Sequence, residues 1–267
     1  MRLAGGPLDY LLRRSRRARQ LRVVVDPARG VVVTVPIRHA LARVEEFLRS
    51  HESWLRRHLA ANAQQHARLA ARRPFGPNGR ILFQGQLHRV RVEDAAAGAR
   101  RSRVLRVGGA DGGEIVLVLA RADRRSPAAV LEPWLREQAA AAIDVEVSLH
   151  ASAMGVTPAA VSIRDARTRW GSASLKGRLT FSWRLILAPP EALETVVIHE
   201  LAHLRVFGHG PRFWSIVASR RPDHRQWRVW LREHSPELHA TLDGADAADG
   251  SVAAGAPEQL TLAGALR

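Results

Sequence analysis

The chain has 267 residues, no cysteine and a formal net charge of +16 at pH 7, with Lys176 its one lysine among 41 basic residues. The missing thiol excludes disulfides and thiolate metal sites, so a metal here must be held by His, Asp or Glu. Hydrophobic residues make up 46%, the range of a globular chain, and no run approaches the roughly 18 apolar residues of a membrane span.

The N-terminus, MRLAGGPLDYLLRRSRRARQ, lacks an apolar core followed by a small-residue cleavage site. It does not read as a secretory signal, and the expectation is a soluble, cytoplasmic protein. The arginine excess admits two readings. One is an anionic partner such as nucleic acid or a nucleotide; the other is a compositional habit, because the arginines are dispersed along the chain. The one tight cluster, RRSRRARQ at 13–20, is either a phosphate-binding patch or a solvated lead-in to the first strand.

Residues 21–36, LRVVVDPARGVVVTVP, read as two Val-rich strands joined by a DPARG turn. Over 40–60, Leu41, Val44, Phe47, Leu48, Trp54 and Leu55 recur at helical spacing. A polar link over 61–79 precedes more strand signals, ILFQGQLHRVRV, RVLRV and EIVLVLA, the last two around a GGADGG turn. Ser126-Pro127 is a good helix start, and an Ala-rich helix is expected to about Ala153, beginning late or kinking at Pro133. Strand-like AAVSIRDA, TRWGSAS and RLTFSWRLIL follow, then a helix opening at Pro189-Pro190-Glu191 and two more around PRFWSIVASR and DHRQWRVWLREH. The expected class is α+β. Its parts are a β-rich region with one helix over 1–120, a catalytic domain over 121–241, and an Ala/Gly/Asp-rich disordered tail over 242–267.

The chemistry concentrates in VIHELAHLRVFGHG, residues 197–210. His199 and His203 are four apart, which on a helix puts both rings on one face, one turn apart. Glu200 is rotated about 100° from His199, beside such an ion rather than on it, which suits a general base acting on water. A zinc site with an open position needs a third protein ligand. His209 can serve only if the chain reverses, because ten more helical residues would carry it roughly 15 Å away. Gly208, Gly210 and Pro211 supply the means to turn. Asp223 or Glu233 stands as an alternative third ligand. The other histidines, including His150, read as surface or ordinary packing, and Phe213 and Trp214 as core behind the site.

RTRWGSAS (167–174), RLTFSWRLILAPPE (178–191), HELAHLRVFGHGPRFW (199–214) and WRVWLREH (227–234) together resemble the YgjP-like metallopeptidases, relatives of the SprT and Wss proteases among the zincins. The resemblance implies a zincin-like domain with its HExxH helix beside a mixed or antiparallel sheet. It implies one Zn2+ on His199, His203 and His209, with Glu200 catalytic. It also sets Arg169, Trp170, Gly171 and Ser172 near the cleft as substrate-binding candidates. The family segment commonly continues with cysteine where this chain has Ala173, and often has asparagine where it has Ser182.

The expected activity is zinc-dependent peptide hydrolysis. One alternative is a nucleoside triphosphate pyrophosphohydrolase on the same metal, with Arg167, Arg169, Arg184, Arg205 and Arg212 available for phosphates. Another is a DNA-associated protease recruited by basic charge. The expected partners are a peptide, protein or nucleotide substrate and a weak association with nucleic acid, with no membrane.

Overall fold

A computed structural model describes residues 1–26, 29–70, 74–76, 78–108, 113–166, 168–242 and 258–261. The turn residues Pro27 and Ala28, the centre of the GGADGG turn and Arg167 lie outside them. The chain divides into two compact units, Met1–Arg72 with Val252–Arg267, and Arg73–Ser251. The fold is α+β, with six helices among the described residues and sheets that are antiparallel or mixed.

The first unit opens with a short hairpin, β1 (Arg2–Leu3) and β2 (Gly6–Pro7), followed by β3 (Tyr10–Ser15). β4 (Arg22–Asp26) and β5 (Gly30–Pro36) are the expected antiparallel Val-rich pair, and β3 runs parallel to β5. Alternation places Val23, Val25, Val31, Val33 and Val35 in one core with Val44, Leu48 and Leu55. The last three lie on α1 (Leu41–Ser50) and α2 (Glu52–Ala70). Two expectations change here. Part of the arginine cluster is β3 itself, and the Arg14 side chain donates to the carbonyls of Ile37 and His39 at 2.6 and 3.0 Å. The polar link is helical as far as Ala70, because Ala, Gln and Arg are strong helix formers even without an apolar stripe.

The second unit begins with β6 (Arg80–Phe83), β7 (Gln86–Asp94), β8 (Arg103–Val107) and β9 (Glu114–Leu119), in the order β6-β7-β9-β8 with β7 parallel to β9. The expected division at residue 120 would set this sheet with the N-terminal region. Ile81, Phe83, Val90, Ile115 and Leu117 instead share a core with Leu131, Leu135 and Ile143, so the unit boundary falls near Arg72. The β6–β7 hairpin turns through Gln84 at φ 51° and Gly85 at φ 76°, the left-handed pair a two-residue hairpin needs. A Cβ on Gly85 would stand 2.8 Å from the Pro189 ring, so the hairpin tip is seated on the approach to the next-but-one helix.

α3 (Pro127–Met154) starts at Ser126, whose hydroxyl caps Ala129 N–H, and runs through Pro133 without a late start. Leu131, Leu135, Ala139, Ile143, Val147 and Ala151 recur every four residues and are buried, the stripe that holds a helix against a core. β10 (Ala160–Arg164), β11 (Gly171–Ala173) and β12 (Arg178–Ser182) form a three-stranded mixed sheet in the order β10-β12-β11. The expected strand over RLTFSWRLIL ends at Ser182, and Trp183–Leu187 form a 3-10 turn. All five of those residues are buried, and the turn packs on α3, which an extended strand with half its side chains facing away could not satisfy. α4 (Pro190–Ala202), α5 (Pro211–Arg220) and α6 (His224–His239) complete the unit.

The expected tail is described only in part. Leu242 packs against the core of the second unit, and β13 (Glu258–Thr261) pairs antiparallel with β4. The remainder of 242–267 lies outside the described residues. Among the described residues no helix is long and apolar enough to cross a membrane.

Candidate metal centre

α4 starts where the sequence marks it, with Pro190 in the first turn, where the missing N–H is no loss. Leu193, Val196, Val197, Ile198, Leu201 and Ala202 are buried, and the helix packs against α3, α5, α6 and β11. A helix enclosed to this extent tolerates polar side chains only where something satisfies them. His199 and Glu200 sit within it.

The helix ends at Ala202, with His203 as its cap. Leu204 N–H bonds Leu201 O at 3.0 Å and Arg205 N–H bonds Ala202 O at 3.1 Å, tightening the last turn. Gly208 then takes φ 94°, a conformation glycine adopts without penalty, and Gly210 caps α5 ahead of Pro211. The reversal brings His209 Nε2 to 3.0 Å from His199 Nε2. The ring centroids of the three histidines are 4.8 to 5.0 Å apart, and one nitrogen of each lies within 4.8 Å of the others.

This donor set fits a metal ion. Two nitrogens at about 2.0–2.1 Å from one tetrahedral ion stand about 3.3–3.4 Å apart, close to the observed approach. His203 Nδ1 faces the Val206 carbonyl at 3.4 Å. A carbonyl only accepts, so that contact sets the tautomer that leaves Nε2 as the lone-pair nitrogen. Burial, then the neighbouring His203, His209, Arg228 and His224, lower His199 to about 3, which keeps it in the neutral form that ligates. Burial likewise lowers His203. Behind the three rings stands Phe213, fully buried, with centroids 4.8, 4.5 and 4.8 Å from those of His199, His203 and His209. Trp214 flanks His209 at 5.6 Å, with the Arg228 guanidinium 4.2 Å from its centroid.

Glu200 is 5% exposed and lies against β11. A Cβ built on Gly171 would sit 2.6 Å from its Oε1 and 2.7 Å from its Cγ, so the carboxylate occupies the space that any other residue would fill. Burial raises the Glu200 carboxyl to about 7, against a smaller opposing effect of Arg169. A carboxyl tuned in this way takes and returns protons near neutrality. Gly171→Ala is expected to displace the carboxylate and lower turnover by about 10²-fold, as a misplacement of about 1 Å does, while metal content stays at the wild-type level. Elemental analysis beside an activity assay reads both, and unchanged turnover would remove this role from Gly171.

The rest of the Arg169–Ser172 segment is divided in its surroundings. Arg169 is exposed, yet its charge reaches Glu200. Trp170 stacks on His239 of α6, centroids 4.9 Å apart, and packs on the core. Ser172 is paired with Thr180 in the ladder, and with Thr168, Arg169 and Ser182 it lines a cavity of about 250 Å³. Of the arginines considered for phosphate, Arg184 is buried, ion-paired with Asp165 and 4.4 Å from the Trp183 ring centroid. Arg205 and Arg212 are exposed. Asp223 accepts from Trp227 Nε1 at 2.8 Å and pairs with Arg221 at 2.9 Å, and neither it nor Glu233 joins the histidine cluster among the described residues. The close approach of Gly171 to Glu200 escaped the sequence reading. Its signal was a lone glycine within a strand pattern, which marks a close neighbour.

A family model described as "YgjP-like, metallopeptidase domain" matches residues 19–234 of the chain. Comparison with curated proteins and with solved structures returned no match.

Proposed function

The chain belongs to the YgjP-like metallopeptidase family, and from that premise we propose that it is a zinc peptidase. In this reading His199, His203 and His209 hold one ion and Glu200 is the general base. Metal-dependent hydrolysis is the activity class of the family; the zinc, the peptide substrate and the residue roles are the proposal. The observation that carries it is the 3.0 Å approach of His209 to His199 across a glycine turn, beside a buried carboxylate that is not one of the three donors.

Three imidazoles with no thiolate suit zinc, which when bound supplies Lewis acidity to a water and to the scissile carbonyl. Glu200 takes the proton of the attacking water and delivers it to the departing amine. Gly171 leaves room for that carboxylate, and Arg169 holds positive charge nearby. β11 is an edge strand, since the sheet order ends with it. Among the described residues its outward backbone groups are free of a strand partner, which suits an extended peptide added as a further strand.

A specific observation favours a second reading, in which the same centre hydrolyses a nucleoside triphosphate. Arg169 borders a cavity rich in hydroxyls, those of Thr168, Ser172, Thr180 and Ser182, a setting for phosphate oxygens. Zinc-loaded protein assayed side by side on casein-like peptides and on nucleoside triphosphates separates the two. Turnover of peptide alone is expected, turnover of the triphosphate alone replaces the substrate assignment, and turnover of neither overturns the proposal. In the same preparation a steep fall of DNA binding with salt would mark recruitment by charge.

A further inference from the structure

We propose that Glu146, His150 and Glu194 form a second divalent-cation site, separate from the histidine centre and joining α3 to α4. Glu146 and His150 are four residues apart on α3, so both side chains leave one face, one turn apart. Glu194 meets them from the first half of α4. His150 Nε2 lies 3.3 Å from Glu146 Oε2 and 3.2 Å from Glu194 Oε1. His150 is only 8% exposed, and its Nε2 makes no hydrogen bond among the described residues. The two oxygens are near, but neither lies along the ring's N–H direction.

Donors at about 2.0–2.2 Å from one tetrahedral ion stand about 3.3–3.6 Å apart, nearly the spacing found here, and the three donor atoms fall within 4.8 Å of one another. Arg221 Nη1 donates to Glu194 Oε2 at 2.6 Å, which leaves Oε1 to the ion and orients the carboxylate as an outer partner does. One imidazole with two carboxylates selects zinc or a similar transition ion over calcium. A cavity of about 230 Å³ lined by Glu146, Val145 and Leu193 borders the cluster and offers an entry path. An ion here ties α3 to the helix that carries His199 and Glu200, so it serves structure rather than turnover.

The test is metal stoichiometry in the full chain, stripped with chelator and titrated with Zn2+, and with Co2+ as a spectroscopic probe. Two ions per chain are expected in the wild type. One is expected in the His199→Ala/His203→Ala variant, with a zinc-dependent rise in its melting temperature. None is expected when Glu146→Gln or His150→Ala is added to that variant. Glu146→Gln keeps the side-chain volume, so it reads the site even if His150→Ala fails to fold. Failure of the histidine centre alone would leave the double variant's single ion in place, which separates the two assignments. No ion in the double variant, or an ion there that survives both added substitutions, would overturn the second site. The cluster would then be a histidine packed between two carboxylates.

Discussion

Glu200→Gln is expected to leave the protein folded and able to bind metal while lowering hydrolysis by about 10²–10⁴-fold, the usual contribution of a general base. The substitution preserves volume where there is little to spare, since Glu200 is 5% exposed and fills the gap above Gly171. It replaces only one carboxylate oxygen, the proton acceptor of the proposed mechanism. The carboxylate is not among the three clustered nitrogens, so metal content should not change. Matching circular dichroism, unchanged zinc by elemental analysis and a collapse of kcat with little change in KM is the expected pattern. Loss of zinc together with activity would instead make Glu200 a ligand, and wild-type activity would remove it from the chemistry.

Phe213→Ala is expected to destabilise the protein by about 3–5 kcal/mol, the range for deleting a buried aromatic ring, and to weaken metal retention with it. Phe213 is fully buried in the core of the second unit, and its ring meets all three histidines at centroid distances of 4.5 to 4.8 Å. The cavity left behind would free the imidazoles to leave their shared orientation. Urea unfolding measures the first effect, and competition with a chromogenic chelator measures the second. Phe213→Leu, which keeps most of the apolar volume, should recover a large part of both. An alanine variant that loses stability yet holds zinc as firmly as wild type would confine Phe213 to packing.

Much of the fold could be read from local spacing. Val-rich runs over 22–36 mark a buried strand pair, and the four-residue recurrence from Leu131 to Ala151 marks α3. Ser126 and Pro127 mark its start. The elements misread are those whose state depends on distant neighbours. WRLIL has the composition of a strand, but the core of α3 and the β6–β7 hairpin tip hold it as a 3-10 turn, with the Gln84 and Gly85 N–H groups bonded to Ile186 and Leu187 carbonyls at 2.7 and 3.0 Å. The second sheet looked like an extension of the first, because alternation tells which face of a strand is apolar and not which core that face enters.

The same division runs through the site. His199, Glu200, His203 and the Gly208-His209-Gly210 turn lie within twelve consecutive residues, where helical geometry and glycine stereochemistry decide most of what can meet. Their convergence was therefore determined by the sequence itself. The pairing of Glu200 with Gly171 and of His150 with Glu194 joins residues tens of positions apart on different elements. Periodicity carries no information across such a separation, because it describes one element's faces and not the packing of one against another. Only the tertiary structure decided which carboxylate lies against a bare backbone and which histidine, read at first as ordinary packing, faces two glutamates.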